Sequence, residues 1–264
     1  MKDGLKLLGL FDPHIKTVPD GKGGWKPDTA PALETALQFG EYFKPDITVT
    51  GQDFMEFDAI SFWQRNNRLE LEGRRLAHDF EHANQILDRI CNFTKEKVIF
   101  IPGNHDYWLQ LYIQERPELY DLIDQRHLLR FKDRDIEGLK YGSVYKFGKA
   151  AFAHAFLRPR QKGNQAKYHA AKMADEFGSS IFYGHWHSFQ AHTKITYDTK
   201  PNVAMGIGCL SELNPSWLRE SPNAFVNQLL FLYYDKQGHF TSYAPILIDG
   251  KFFYGGKVFG NKEK

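Results

Sequence analysis

The sequence predicts an α/β fold, with strands and helices in layers, from three observations. Short apolar runs rich in β-branched and aromatic residues recur along the chain and stop abruptly at Gly, Pro or a polar residue. Between them lie stretches with apolar residues at helical spacing, the clearest being Leu76, Phe80, Ala83, Leu87 and Ile90. Aromatic residues make up 15% of the chain, with 22 Phe and 13 Tyr, which suits a β-rich core.

Taken in order, a strand at Lys6–Phe11 runs into Asp12-Pro13-His14. Residues 15–31 hold Gly21, Gly23, Gly24, Pro27 and Pro31 and read as a surface loop, from which Lys16, Lys22, Trp25 and Lys26 can reach the mouth of a site. Pro31 opens a helix over Ala32–Phe43. The strand Ile47–Thr50 leads to Gly51-Gln52-Asp53-Phe54-Met55-Glu56, and a long helical section follows over Ala59–Phe93. Arg65, Arg68, Arg74 and Arg75 cluster at its start, but the interleaved Glu70 and Glu72 mark a solvated face before a polyanion site.

The strand Val98–Ile101 stops at Pro102-Gly103, placing Asn104, His105 and Asp106 on a tight loop. A helix over Tyr107–Ile123 should break at Pro117. A hairpin-like pair lies around Gly148, and its second strand ends at His154. The basic run Phe156–Lys162 follows, where Arg158 and Arg160 offer planar forks for phosphate oxygens. After a helix at Ala166–Phe177 with a structural His169, the strand Ser180–Tyr183 ends in Gly184-His185-Trp186-His187. Strands at Lys194–Tyr197 and Val203–Ile207, a hairpin of Phe225–Tyr234 with Phe240–Ile248 about Gln237-Gly238, and a frayed tail with Lys257, Lys262 and Lys264 complete the chain.

Five strand ends thus carry Asp, Asn or His, at the carboxyl ends where open α/β sheets place their chemistry. Residues two apart on an extended segment share a side, so Asp12 with His14, and His185 with His187, can each aim two ligand atoms at one place. Imidazole mixed with carboxylate suits Mn, Zn, Fe or Ni over Mg or Ca.

The ordered set Asp-x-His, Gly-x-Asp, Gly-Asn-His-Asp, His and Gly-His-x-His, from Asp12 to His187, resembles the calcineurin-like metallophosphoesterase superfamily, in particular its small bacterial and phage-type members. The resemblance implies a two-sheet β-sandwich flanked by helices, holding two divalent transition-metal ions at the strand ends. Asp12, His14, Asp53 and His187 would bind one ion and Asp53, Asn104, His154 and His185 the other, with Asp53 as the bridge. His105 would protonate the leaving group or stabilise phosphoryl charge, paired with Glu56, Asp58 or Asp106. The implied reaction is phosphoester hydrolysis by in-line attack of a metal-bound hydroxide.

Gln52, where the family has glycine, would narrow the pocket or contact substrate, and Trp186 replaces the usual threonine. The arginines of the serine/threonine phosphatase signatures are missing, and histidine at position 105 departs from the lipid-A-pathway hydrolases. The DNA-repair exonucleases share Pro-Gly-Asn-His-Asp but carry a further DNA-recognition region. A phosphodiesterase acting on nucleotides or short nucleic acid is therefore the expected activity. The alternatives are a phosphomonoesterase on the same site and, from another class, a non-catalytic scaffold.

At 264 residues, with no internal repeat, one domain over 1–264 is expected, and a formal charge of +2 argues neither for nor against nucleic acid. The first strand begins too early for a signal peptide, no apolar run reaches the roughly 18–20 residues of a membrane span, and Cys91 and Cys209 form no C-x-x-C motif. A reduced, cytoplasmic setting without membrane attachment is the expectation.

Overall fold

The computed structural model describes residues 1–61, 68–154, 168–195, 197, 201–218 and 221–260. The first half comprises β1 (Leu5–Gly9), β2 (Thr17–Pro19), β3 (Trp25–Pro27), α1 (Pro31–Phe43), β4 (Ile47–Gly51), α2 (Arg68–Leu71), α3 (Leu76–Phe93) and β5 (Lys97–Ile101). There follow α4 (Asn104–Gln114), α5 (Gln125–Leu128), β6 (Glu137–Gly138), β7 (Val144–Phe147), β8 (Ala150–His154), α6 (His169–Phe177) and β9 (Ser180–Gly184). The chain closes with β10 (Gln190–Lys194), β11 (Asn202–Gly206), β12 (Leu230–Tyr234), β13 (Phe240–Tyr243), β14 (Phe252–Tyr254) and β15 (Lys257–Phe259).

Two mixed sheets form, in the orders β13-β12-β1-β4-β5-β6 and β10-β11-β9-β8-β7. β1, β4 and β5 are mutually parallel, as are β8 and β9, so within each sheet the ligand-bearing carboxyl ends fall on one edge. The pleat sorts side chains between cores. Leu7, Val49, Ile99 and Ile101 meet Phe152 and Phe182 between the sheets. Leu8, Phe100 and Phe231 point the other way, onto Leu33 and Phe39 of α1 and Phe80 and Leu87 of α3. Beyond the second sheet, Ala151, Ile181 and Tyr183 pack on Met173 and Ala174 of α6. The result is helices, sheet, sheet, helix: the two-sheet sandwich flanked by helices.

Several elements differ from the sequence-based expectation. Residues 15–31 contain a hairpin, Val18 opposite Lys26, anchored where the Thr17 amide and hydroxyl both donate to Asp79 at 2.7 Å. Lys257 of the expected frayed tail lies instead in β15, and Phe252 and Phe259 pack on Phe39 at ring distances of 5.1 and 5.3 Å, while Lys262 and Lys264 lie outside the described residues. The strand expected at Lys194–Tyr197 lies earlier, at Gln190–Lys194, an edge strand whose exposed Ala191, His192 and Thr193 give no apolar signal. Asn104, His105 and Asp106 are the first turn of α4 and not a loop, since Gly103 serves as N-cap and Asp106 reaches back to its amide at 2.9 Å.

Candidate metal centre

The ligand-type residues do not simply continue their strands. Asp12, His14, Gln52, Asp53, His185 and His187 all have positive φ, at 49°, 47°, 53°, 64°, 92° and 54°. The left-handed region costs an L-residue about 1–2 kcal/mol, and its concentration here is the pattern of strain held at a functional site. The pairs Asp12/His14 and His185/His187 therefore converge through left-handed turns, not through the strand alternation their spacing suggested. Pairing between loops offsets the strain: Asp12 N donates to Gln52 O and His14 N to Asp53 O, each at 3.1 Å, and Ile15 N to Phe54 O at 2.9 Å.

Two glycines permit the close approach. A Cβ on Gly103 would lie 2.1 Å from Asp53 Oδ1, and one on Gly184 would lie 2.2 Å from Asp12 Oδ2. The two carboxylates use that space instead, Asp53 Oδ1 accepting from His105 N at 2.6 Å and Asp12 Oδ2 from His185 N at 2.9 Å. The first of these amides belongs to the amino-terminal turn of α4, the end of a helix that favours negative charge.

Two groups of donor atoms result. Asp12, His14 and His187 place ligand atoms within 4.8 Å of one another, and so do Asp53, His154 and His185. Asp53 also groups with His14 and His105, so its carboxylate adjoins both sets. In the first group His14 Nε2 faces His187 Nε2 at 3.1 Å. In the second, His154 Nε2 lies 2.9 Å from Asn104 Oδ1, 3.1 Å from His185 Nδ1 and 3.4 Å from Asp53 Oδ2. His185 Nδ1 is also 2.9 Å from Asn104 Oδ1. All seven residues expected as metal ligands are thus brought together.

This arrangement fits cations and is poorly served by protons. His14 Nδ1 lies 2.5 Å from Glu56 Oε2, a carboxylate that can only accept, so His14 Nε2 points a lone pair at His187. Asp12 Oδ1, His154 Nδ1 and His187 Nδ1 are buried without any hydrogen-bond partner. Burial, and for Asp53 the adjacent Asp12 and Asp106, pushes the Asp12 and Asp53 carboxyls well above the usual range. Burial likewise pushes His14 down to about 3 and His185 to about 4, and holds His154 and His187 well below an ordinary imidazole. Neutral imidazoles converging with crowded carboxylates are what a pair of divalent cations would relieve.

The residues expected to be catalytic take three different places. His105 Nδ1 lies 2.7 Å from the carbonyl oxygen of Glu56, so it carries the hydrogen, and its Nε2 is left as an acceptor. Burial pushes this ring down to about 3 as well, against the proton-donor role that the resemblance implied. Glu56 does not present its carboxylate to His105 but to His14, a place suited to an outer partner should His14 ligate a metal. Asp106 is fully buried, and its carboxylate accepts from the amides of Gly103, Asp53 and Phe54 and from Gln125 Nε2. It fastens the turn and has no contact with the His105 ring to offer; the expected acid partner is replaced by a peptide carbonyl.

Gln52 is also fully buried, and its Oε1 accepts from Gly184 N at 2.7 Å, tying the ends of β4 and β9 together. It does not line the pocket, contrary to expectation. Trp186 stacks on His169, whose Nδ1 is 2.6 Å from Tyr183 Oη, so His169 is structural as expected. Arg158 and Arg160 lie outside the described residues.

A cleft of about 170 Å³ opens over the centre, lined by His14, Asp53, Glu56, Asn104, His105, His185 and His187. Its outer wall is built from Lys16, Asp28, Ser211, Glu212, Pro215 and Phe225. Of these only Lys16 was singled out from the sequence; the residues of 211–225 carried no signal, because the loop that bears them reaches the site only through the fold.

No protein-family profile matches the chain, and no curated protein sequence matches it. Among solved structures, wild-type Vps29 from Entamoeba histolytica complexed with Zn²⁺ aligns over 96% of this chain and 95% of its own, at 13% identity and a TM-score of 0.44. A double mutant of Vps29 from the same organism aligns over 91% and 98%, at 11% identity and a TM-score of 0.39. At those scores neither likeness bears on activity, and the donor geometry carries the functional reading.

Proposed function

We propose that this protein hydrolyses phosphodiesters at a centre of two divalent transition-metal ions, as a member of the calcineurin-like metallophosphoesterase superfamily. Asp12, His14 and His187 would hold one ion, Asn104, His154 and His185 the other, and Asp53 both. The observation that carries the reading is the convergence of seven side chains of metal-ligand type, with ring nitrogens and amide or carboxylate oxygens facing one another at 2.9–3.4 Å and Asp12 Oδ1 buried without a hydrogen-bond partner. Ions bound there would neutralise phosphoryl charge and lower the pKa of water.

The chain's own groups complete the site. Asp12 and Asp53 supply the negative charge that keeps two cations together, and the α4 amide on Asp53 orients its carboxylate. Glu56 fixes His14 as the Nδ1–H tautomer so that Nε2 is free to ligate. His105 stands beside Asn104 with Nε2 available to accept a hydrogen bond from the attacking water. The open cleft leaves the centre reachable by substrate.

The test is turnover of bis-p-nitrophenyl phosphate, p-nitrophenyl phosphate, a cyclic nucleotide and a short single-stranded oligonucleotide by protein loaded with Mn or Zn. Preference for the diesters supports the proposal, and preference for the monoester moves it to phosphatase. Two bound ions per chain with no turnover above an Asp53→Asn control would leave the scaffold reading.

A further inference from the structure

The outer wall of the cleft has a composition of its own. Lys16 is mostly buried, with 14% of its side chain exposed, and its Nζ is 3.5 Å from Asp28 Oδ2 and 3.8 Å from Glu212 Oε2. Both separations exceed the roughly 2.7–3.2 Å of a direct hydrogen bond. An ammonium with three donors thus lines the cleft in ion pairs with two carboxylates, at separations longer than a direct hydrogen bond to either. Opposite them, Phe225 stands edge-on to His187 at a ring distance of 4.8 Å, and Pro13, Ala30 and Pro215 add apolar surface. Among the described residues Lys16 is the only Lys or Arg lining the cleft, a single cation beside two carboxylates.

We propose that Lys16, Asp28, Glu212 and Phe225 form a leaving-group subsite for a small polyol phosphodiester, one whose ester carries neighbouring hydroxyls. Lys16 donates to an oxygen of the leaving group, Asp28 and Glu212 accept from its hydroxyls, and Phe225 covers its apolar face. The whole cleft, about 170 Å³ including the space over the donor groups, corresponds to roughly six waters at ~30 Å³ each, the scale of a small ester such as that of a sugar or a glycerol unit. Ribose and glycerol share the recognised chemistry. This inference rests on the phosphodiesterase reading above.

The experiment compares metal-loaded wild type, Lys16→Met, Lys16→Arg and Glu212→Gln on four substrates: bis-p-nitrophenyl phosphate, a 3′,5′-cyclic nucleotide, whose free 2′-hydroxyl neighbours the ester, a glycerophosphodiester and a ten-nucleotide single strand. Metal content is measured in each variant as a check that the centre is intact. For Lys16→Met the ratio of kcat/KM on the preferred polyol ester to that on bis-p-nitrophenyl phosphate is expected to fall by roughly 10-fold or more, mostly through KM, as for loss of a charge-assisted hydrogen bond. Lys16→Arg should recover part of it, and Glu212→Gln should lower the same ratio. Higher activity on the cyclic nucleotide assigns the pocket to ribose, and higher activity on the other ester assigns it to glycerol. An unchanged ratio in Lys16→Met, or a wild type that prefers the ten-nucleotide strand, overturns the subsite while leaving the phosphodiesterase intact. No turnover of any ester by the loaded wild type refutes the underlying reading instead.

Discussion

Glu56 offers the sharpest test of the proposed centre, because it touches His14, one of the proposed ligands, without itself belonging to either donor group. Its Oε2 lies 2.5 Å from His14 Nδ1, and both side chains are 8% exposed, so the hydrogen bond is charge-assisted and shielded from water. A bond of this kind contributes about 1.5–3 kcal/mol. At about 1.4 kcal/mol per decade of affinity, that is roughly 10–100-fold, the range in which removing the outer partner of a ligating histidine weakens a metal. Glu56→Ala is therefore expected to weaken one ion by roughly 10–100-fold and leave the other close to wild type. Glu56→Gln, which keeps an oxygen acceptor at that position, should lose less than Glu56→Ala. The assay is release against a chelator of known affinity, with metal counted per chain at each step. Retention of both ions at wild-type affinity in Glu56→Ala, or selective loss of the ion assigned to Asn104, His154 and His185, would refute the placement of Glu56 behind His14.

Three further outcomes are expected. Asp53→Asn should lower occupancy of at least one ion and remove nearly all turnover, since Asp53 is the carboxylate adjoining both donor groups; two ions per chain with wild-type rates would contradict it. His105→Ala should retain metal and lose roughly 10²–10⁴-fold in turnover, equally for p-nitrophenolate and alkoxide leaving groups, because the ring's one hydrogen is held by the Glu56 carbonyl; a deficit confined to alkoxides would restore the proton-donor role. Asp58 is raised to about 7 by burial and by the neighbouring Glu56, so its proton stabilises the fold below the ordinary carboxylate range and that contribution is lost as pH rises to about 7. Asp58→Asn, which does not titrate, should accordingly gain in urea midpoint relative to wild type between pH 5 and pH 8, and a constant difference would refute the assignment.

The sequence by itself determined the α/β class and most strands and helices, and it singled out the seven residues that the fold brings together. Strand ends are legible because a buried β-branched run stops visibly where Gly, Pro or a ligand residue follows, as at Ile101 before Pro102-Gly103. Short local patterns such as Asp12-x-His14 and His185-x-His187 survive in one dimension. Tertiary structure alone decided how those residues meet. The left-handed turns at Asp12, His14, Asp53, His185 and His187 are held in part by hydrogen bonds between loops, and although Asp and His tolerate positive φ better than most residues, that tolerance does not say which positions adopt it. The same holds for the roles of the acids. Asp106 looked catalytic beside His105, but four hydrogen bonds from Gly103, Asp53, Phe54 and Gln125 consume its carboxylate. Glu56 looked like a partner of His105, but His14, 42 positions away in the chain, claims it. Lys16 comes to share a wall with Glu212 only because the sandwich brings the loop after β11 back over the first. Which hydrogen bond a polar side chain makes depends on what the fold packs within about 3 Å of it, and those neighbours come from distant segments that no local pattern in the chain connects.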